Sequence, residues 1–84
     1  MNDNTILLDV WIPPLGKKYE FELNVQTPIR NLIRDIQAIL SEEENVKFGT
    51  EHGILFSFDQ EHILDSDKNL SEEHITGGQL LLLA

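Results

Sequence analysis

The chain has 84 residues, 40% hydrophobic and 25% charged, and its 15 acids against 6 bases give a net charge of -9. That length holds one domain around one core, and the composition is too apolar for a disordered segment. The excess of acid repels phosphate backbones and anionic lipid, which argues against a nucleic-acid ligand or a membrane surface.

Thr5–Ile12 reads as a strand, rich in β-branched and aromatic residues and closed by Pro13-Pro14. Ile6, Leu8, Val10 and Ile12 take the core side, leaving Leu7, Asp9 and Trp11 on the other. Pro13–Gly16 is a turn. In Lys18–Val25, Tyr19, Phe21, Leu23 and Val25 alternate with Lys18, Glu20, Glu22 and Asn24. That pattern predicts a strand with one buried and one wet face, paired with the first as a hairpin.

A helix follows. Thr27 suits the N-cap and Pro28 the first helical position. Ile29, Leu32, Ile33, Ile36, Ile39 and Leu40 form one apolar stripe. Ser41–Asn45 is assigned to a loop, because its acids would oppose the helix dipole. Lys47–Gly53 reads as loop, with Val46 or Phe48 pinned to the core. Ile54–Phe58 is a third strand, Asp59–Glu61 a turn, and His62–Leu64 a short fourth strand. Leu70–Ile75 is a helical turn anchored by its two end residues. Gly77-Gly78 makes a tight turn into a last strand, Gln79–Leu83.

The order ββαβββ, with one amphipathic helix, gives an α+β fold in which a mixed sheet packs on that helix. The first and last strands should be central neighbours and parallel. The whole of 1–84 is expected to be one domain.

Little in the chain suggests chemistry. There is no cysteine, so a disulfide framework and a thiolate metal site are both ruled out. His52, His62 and His74 lack metal-ligand spacing. Asp59, Glu61, Asp65 and Asp67 lack the central glycine and closing glutamate of a calcium loop. Ser57, Ser66 and Ser71 have no nucleophile-elbow context. The expectation is no enzyme, no metal and no cofactor. The longest apolar run, Leu80–Ala84, is far below the roughly 20 residues of a membrane helix, so direct membrane insertion is not expected. Met1–Asn4 lacks the features of a signal peptide, and a cytoplasmic address is expected.

Leu64-Asp65-Ser66-Asp67-Lys68-Asn69-Leu70-Ser71-Glu72-Glu73-His74-Ile75, followed by Gly77-Gly78, resembles the corresponding stretch of ubiquitin-like β-grasp proteins. The helix opening Thr27-Pro28-Ile29-Arg30-Asn31-Leu32-Ile33 is similar to that of the small bacterial YukD/EsaB group. So is the ending Ile75–Leu82, apart from Gln79 where the group has an acid. This resemblance implies a protein-binding accessory or regulatory component of a type VII secretion system. Ubiquitin is conjugated through a flexible Gly-Gly tail. Here Gly77-Gly78 precedes the last strand and the chain stops at Ala84, so a non-conjugated protein is expected.

Strand alternation places Leu7, Trp11, Leu55, Leu81 and Leu83 together on the outer sheet face, if Leu80 and Leu82 face the helix. The resemblance implies that this face binds proteins, since the same face is ubiquitin's main recognition surface. Trp11 would be a natural anchor. Arg30 and Arg34, four apart on the helix, are expected to pair with nearby acids. Two alternatives remain: an adaptor domain unrelated to secretion, and a module that homodimerises through the sheet face.

Overall fold

The computed structural model describes residues 4–45, 47–48 and 53–84. Val46 and His52, both named above, lie outside the described residues. The elements are β1 (Thr5–Ile12), β2 (Lys17–Asn24), α1 (Ile29–Glu43), β3 (Leu55–Ser57), β4 (His62–Ile63) and β5 (Leu80–Leu83), with a 3-10 turn at Pro13–Leu15. They form one five-stranded sheet in the order β2-β1-β5-β3-β4. β1 and β5 run parallel at its centre and the other pairs are antiparallel. This is the expected α+β sandwich.

The hairpin behaves as its alternation dictates. Leu8, Val10 and Ile12 are buried, and Leu23 with partly buried Tyr19, Phe21 and Val25 extends the core beneath β2. Gly16 closes the connection with φ 61, a left-handed conformation that glycine adopts without a Cβ penalty. From α1, Ile29, Leu32, Ile33, Ile36 and Leu40 meet this face. Ile39 does not join them; it lies off the stripe and is 44% exposed.

Both helix ends differ from expectation. Pro28, not Thr27, is the N-cap, and no side chain caps the helix. The orphan N–H groups of the first turn find backbone carbonyls from elsewhere in the chain. Ile29 donates to Lys68 O at 2.8 Å and Arg30 to Ser66 O at 3.1 Å. A bridge between Pro28 and Asn69 keeps the two segments in register. At the other end α1 continues through Glu42 and Glu43. Burial of Leu40 holds that last turn, and exposed acids oppose the dipole only weakly in water. Asn45, at φ 54, then turns the chain away.

The segment after β4 is anchored as expected, with Leu70 and Ile75 buried. Asn69 and Glu72 cap each other: Asn69 Oδ1 accepts the Glu72 N–H at 2.8 Å, and Glu72 Oε1 accepts the Asn69 N–H at 3.0 Å. Gly78, at φ 86, makes the turn into β5, and its N–H donates to Leu7 O at 2.9 Å. Gly78 is thus tied to β1 just before β5 joins it.

Candidate functional site

β1, β5 and β3 each have a neighbour on both sides, so the face they turn away from α1 carries few free backbone groups. What it can offer a partner is its side chains, and the strand registers fix which ones. Trp11 lies opposite Lys18 on β2 and Leu82 on β5. Leu82 lies opposite Phe56 on β3, and Phe56 opposite Ile63 on β4. Paired residues share a face. Lys18, Trp11, Leu82, Phe56 and Ile63 therefore form one row across all five strands.

Parallel rows flank it. Two residues along, Glu20 faces Asp9, and Asp9 faces Leu80. Beside Leu80 is Phe58, whose N–H donates to Leu80 O at 3.2 Å. Phe58 meets the Phe56 ring edge-to-face at 5.4 Å between centroids. On the opposite flank Ile54 and Ala84 exchange two backbone hydrogen bonds of 3.0 Å. Ile63 is 56% exposed, Phe58 44% and Ile54 40%, while Trp11, Phe56, Leu80 and Leu82 are half-buried among one another.

This outer face is apolar, as expected, but its membership is only partly as expected. Leu7 and Trp11 lie on it. Leu55, Leu81 and Leu83 do not: they point at α1 and are 0%, 0% and 2% exposed. The reason is register. Leu81 pairs with inward-facing Val10 and with Ser57, and Leu83 pairs with Leu55. A one-residue slip exchanges the two faces of a strand. Leu80, Leu82, Phe56, Phe58 and Ile63 are the outer residues that alternation did not select. Leu7 stands apart from the main row, beyond Asp9 and opposite Glu22, over a shallow hollow shared with Gly77 and Gly78.

Ser57 is the one buried polar residue among those described, at 0% exposure. Its Oγ accepts the Gln60 N–H at 3.1 Å, which satisfies it inside the core. Gln60 in turn donates through Nε2 to Glu73 O at 2.8 Å, so the β3–β4 turn is tied to the 70–75 segment.

The acids border the apolar row rather than interrupt it. Asp9, Glu20 and Glu22 lie at its β2 end, where Lys18 approaches Asp9 at 3.9 Å. Asp59 and Glu61 lie in the turn after β3, where Asp59 Oδ2 accepts the Leu80 N–H at 3.2 Å. Arg30 pairs with Asp67 across the surface, as expected of the helix bases. Arg34 has no ion pair among the described residues.

Several other polar groups are occupied structurally, although the buried Gln79 Oε1 has no hydrogen-bond partner among the described residues. Asp65 Oδ1 accepts the Asp67 N–H at 2.9 Å, and Glu73 Oε2 accepts the Asp65 N–H at 2.7 Å. Glu73 also stands 3.7 Å from His62. No cluster of metal-ligating side chains occurs among the described residues. Tyr19 donates its hydroxyl to Glu44 Oε1 at 2.6 Å, bracing β2 against the end of α1. That bond, followed by burial and the Glu44 charge, pushes the hydroxyl pKa up to about 12. No helix of the described residues is long and apolar enough to cross a membrane.

No family model matches the sequence, and no curated protein does. Solved structures do. The ubiquitin-like domain of the Mycobacterium tuberculosis type VII secretion system protein ECCD1 superposes with a TM-score of 0.72 at 20% identity, over 95% of this chain and 97% of that one. A ubiquitin-like domain from Arabidopsis thaliana gives 0.70 at 21%, over 96% and 77%. A chain of the MycP5-free ESX-5 inner membrane complex gives 0.68 at 16%, over 96% of this chain and 21% of that one. Mixed sheet, single helix and these superpositions together establish that the chain has the ubiquitin-like β-grasp fold.

Proposed function

We propose that this chain is a non-catalytic protein-binding module of a type VII secretion system. It docks the outer face of its sheet on another component of that machine, on the cytoplasmic side. The observation that carries the reading is the unbroken apolar row Trp11–Leu82–Phe56–Ile63, spread over four neighbouring strands. Single exposed apolar residues are ordinary on a surface, but a contiguous patch marks an interaction site. Trp11, half-buried at one end, is the kind of side chain that dominates binding energy. The acidic border fits a partner whose contact surface is apolar with a basic rim. Likeness to domains of type VII secretion proteins supports the choice of machine.

The test is functional replacement. Cells of the source organism carrying Ile63→Asp or Leu82→Asp in place of the natural chain should lose type VII secretion while keeping the protein at normal abundance. Normal secretion by both variants would reject the docking face. Normal secretion after deletion of the whole chain would favour an adaptor role unrelated to secretion.

A further inference from the structure

The two edges of the sheet are not alike. β4, at one end, is two residues long, and so short an edge gives another strand little to pair with. β2, at the other end, is eight residues long. It holds no proline, and its register with β1 runs unbroken from Lys17 to Asn24, so no bulge twists it away. No strand among the described residues lies on its far side.

Hydrogen-bond parity fixes which groups that edge presents. In an antiparallel pair every second residue bonds its partner strand, and the residues between turn their backbone groups outward. Val25 donates to Asn4 O at 2.7 Å, so Leu23, Phe21 and Tyr19, at two-residue steps from it, are the residues that bond β1. Lys18, Glu20 and Glu22 therefore aim their N–H and C=O groups at the open edge. All three side chains are exposed. Tyr19 and Phe21, on the inner face at the same edge, are only partly buried, with their ring centroids 6.4 Å apart.

Charges of one sign guard an edge by repelling a second copy. Along β2 the sign changes, from Lys18 to Glu20 and Glu22, and antiparallel reversal brings unlike signs together. With Glu20 on a two-fold axis, Lys18 of each copy lies opposite Glu22 of the other, and Tyr19 opposite Phe21. In that register every outward N–H and C=O of Lys18, Glu20 and Glu22 finds a partner. Glu20 meets Glu20, the one like pair, with Lys18 of the other copy on the diagonal. We infer that β2 pairs with β2 of a second copy of this chain, antiparallel about Glu20, joining the two sheets into one. A ladder this short is small beside the roughly 800 Å² per partner of a stable complex, and the charge of -9 on each copy opposes it, so the association is weak. Both outer faces lie on the same side of the joined sheet and stay open. The inference is therefore independent of the docking reading above.

Sedimentation equilibrium at about 1 mM chain and about 0.15 M salt tests it. Part of the chain should be dimeric, and NMR on a mixture of differently labelled copies should place the two Glu20 positions against each other. Glu20→Pro removes an N–H that only the second copy uses, so it should abolish the dimer without lowering the unfolding temperature. Lys18→Glu and Glu22→Lys should each weaken association on the order of tenfold. An equimolar mixture of those two variants should recover it, because each altered residue then meets its opposite. Ile63→Asp should leave the dimer unchanged, so this inference and the docking reading fail separately. A monomer at that concentration would overturn the inference. So would a dimer that survives Glu20→Pro, which would put the contact on the sheet face, or a mixture that associates no better than its parts, which would reject the register.

Discussion

The two faces of one sheet carry the same kinds of residue and do opposite work. On the inner face Val10, Leu81 and Leu55 pack against α1 and are fully buried. On the outer face Trp11, Leu82 and Phe56 are as large and as apolar, yet only partly buried. Composition does not separate them; position relative to the helix does. Apolar side chains covered within the chain stabilise the fold, and the same side chains left uncovered are available to a partner. Alternating substitutions along β5 therefore sort stability from binding, one residue at a time.

The largest effect should come from the inner face. Leu81→Ala removes a fully buried side chain beneath α1 and should cost about 2–5 kcal/mol in urea unfolding. In a domain this small that is a large share of the total. Gly53→Ala should follow. A Cβ there would lie 2.9 Å from Gln37 Nε2, 3.0 Å from Ile33 Cγ2 and 3.3 Å from the Ala84 carbonyl. The resulting overpacking should cost about 1–3 kcal/mol, read by the same unfolding curve.

The outer face should behave differently. Ile63→Asp should change unfolding by about 0.5 kcal/mol or less, as for other exposed positions, while abolishing partner contact. A loss as large as that of Leu81→Ala would erase the distinction between the faces.

Two smaller effects lie off this axis. Tyr19 is the only tyrosine, so its ionisation can be followed by tyrosinate absorbance. Its pKa is raised in the folded chain, so the neutral hydroxyl contributes stability below about pH 10, the unfolded value. That contribution is lost as pH rises through about 12. Tyr19→Phe should remove this part of the alkaline fall in stability. Arg30→Ala, which breaks an exposed pair with Asp67, should cost at most about 1 kcal/mol.

The fold was legible because several independent patterns agreed. Hairpin alternation, the stripe of α1 and the Leu70 and Ile75 anchors each pointed to one answer, and each matches the structure except that Ile39 leaves the stripe. The helix ends were less legible, because their hydrogen-bond partners come from Ser66 and Lys68, far along the chain. The docking face was half legible. β1 mixes polar and apolar residues, so the orientation of Leu7 and Trp11 could be read. Leu80–Leu83 is four identical residues, and a uniform run carries no period-two signal. Its facing depends on register with β1, which tertiary pairing and the Gly78 turn decide. In β3 and the residue after it, Phe56 and Phe58 look like core and Ser57 like surface. The structure reverses them, because Ser57 finds the Gln60 N–H inside.

Site-specific photo-cross-linking in cells tests the central claim most directly. Ile63 on the sheet face and Ile39 on the helix are both large, aliphatic and well exposed. A cross-linker at Ile63 should capture a type VII secretion component, and one at Ile39 should not. Capture from Ile39 alone would contradict the account, because it would put the working surface on the opposite layer of the molecule.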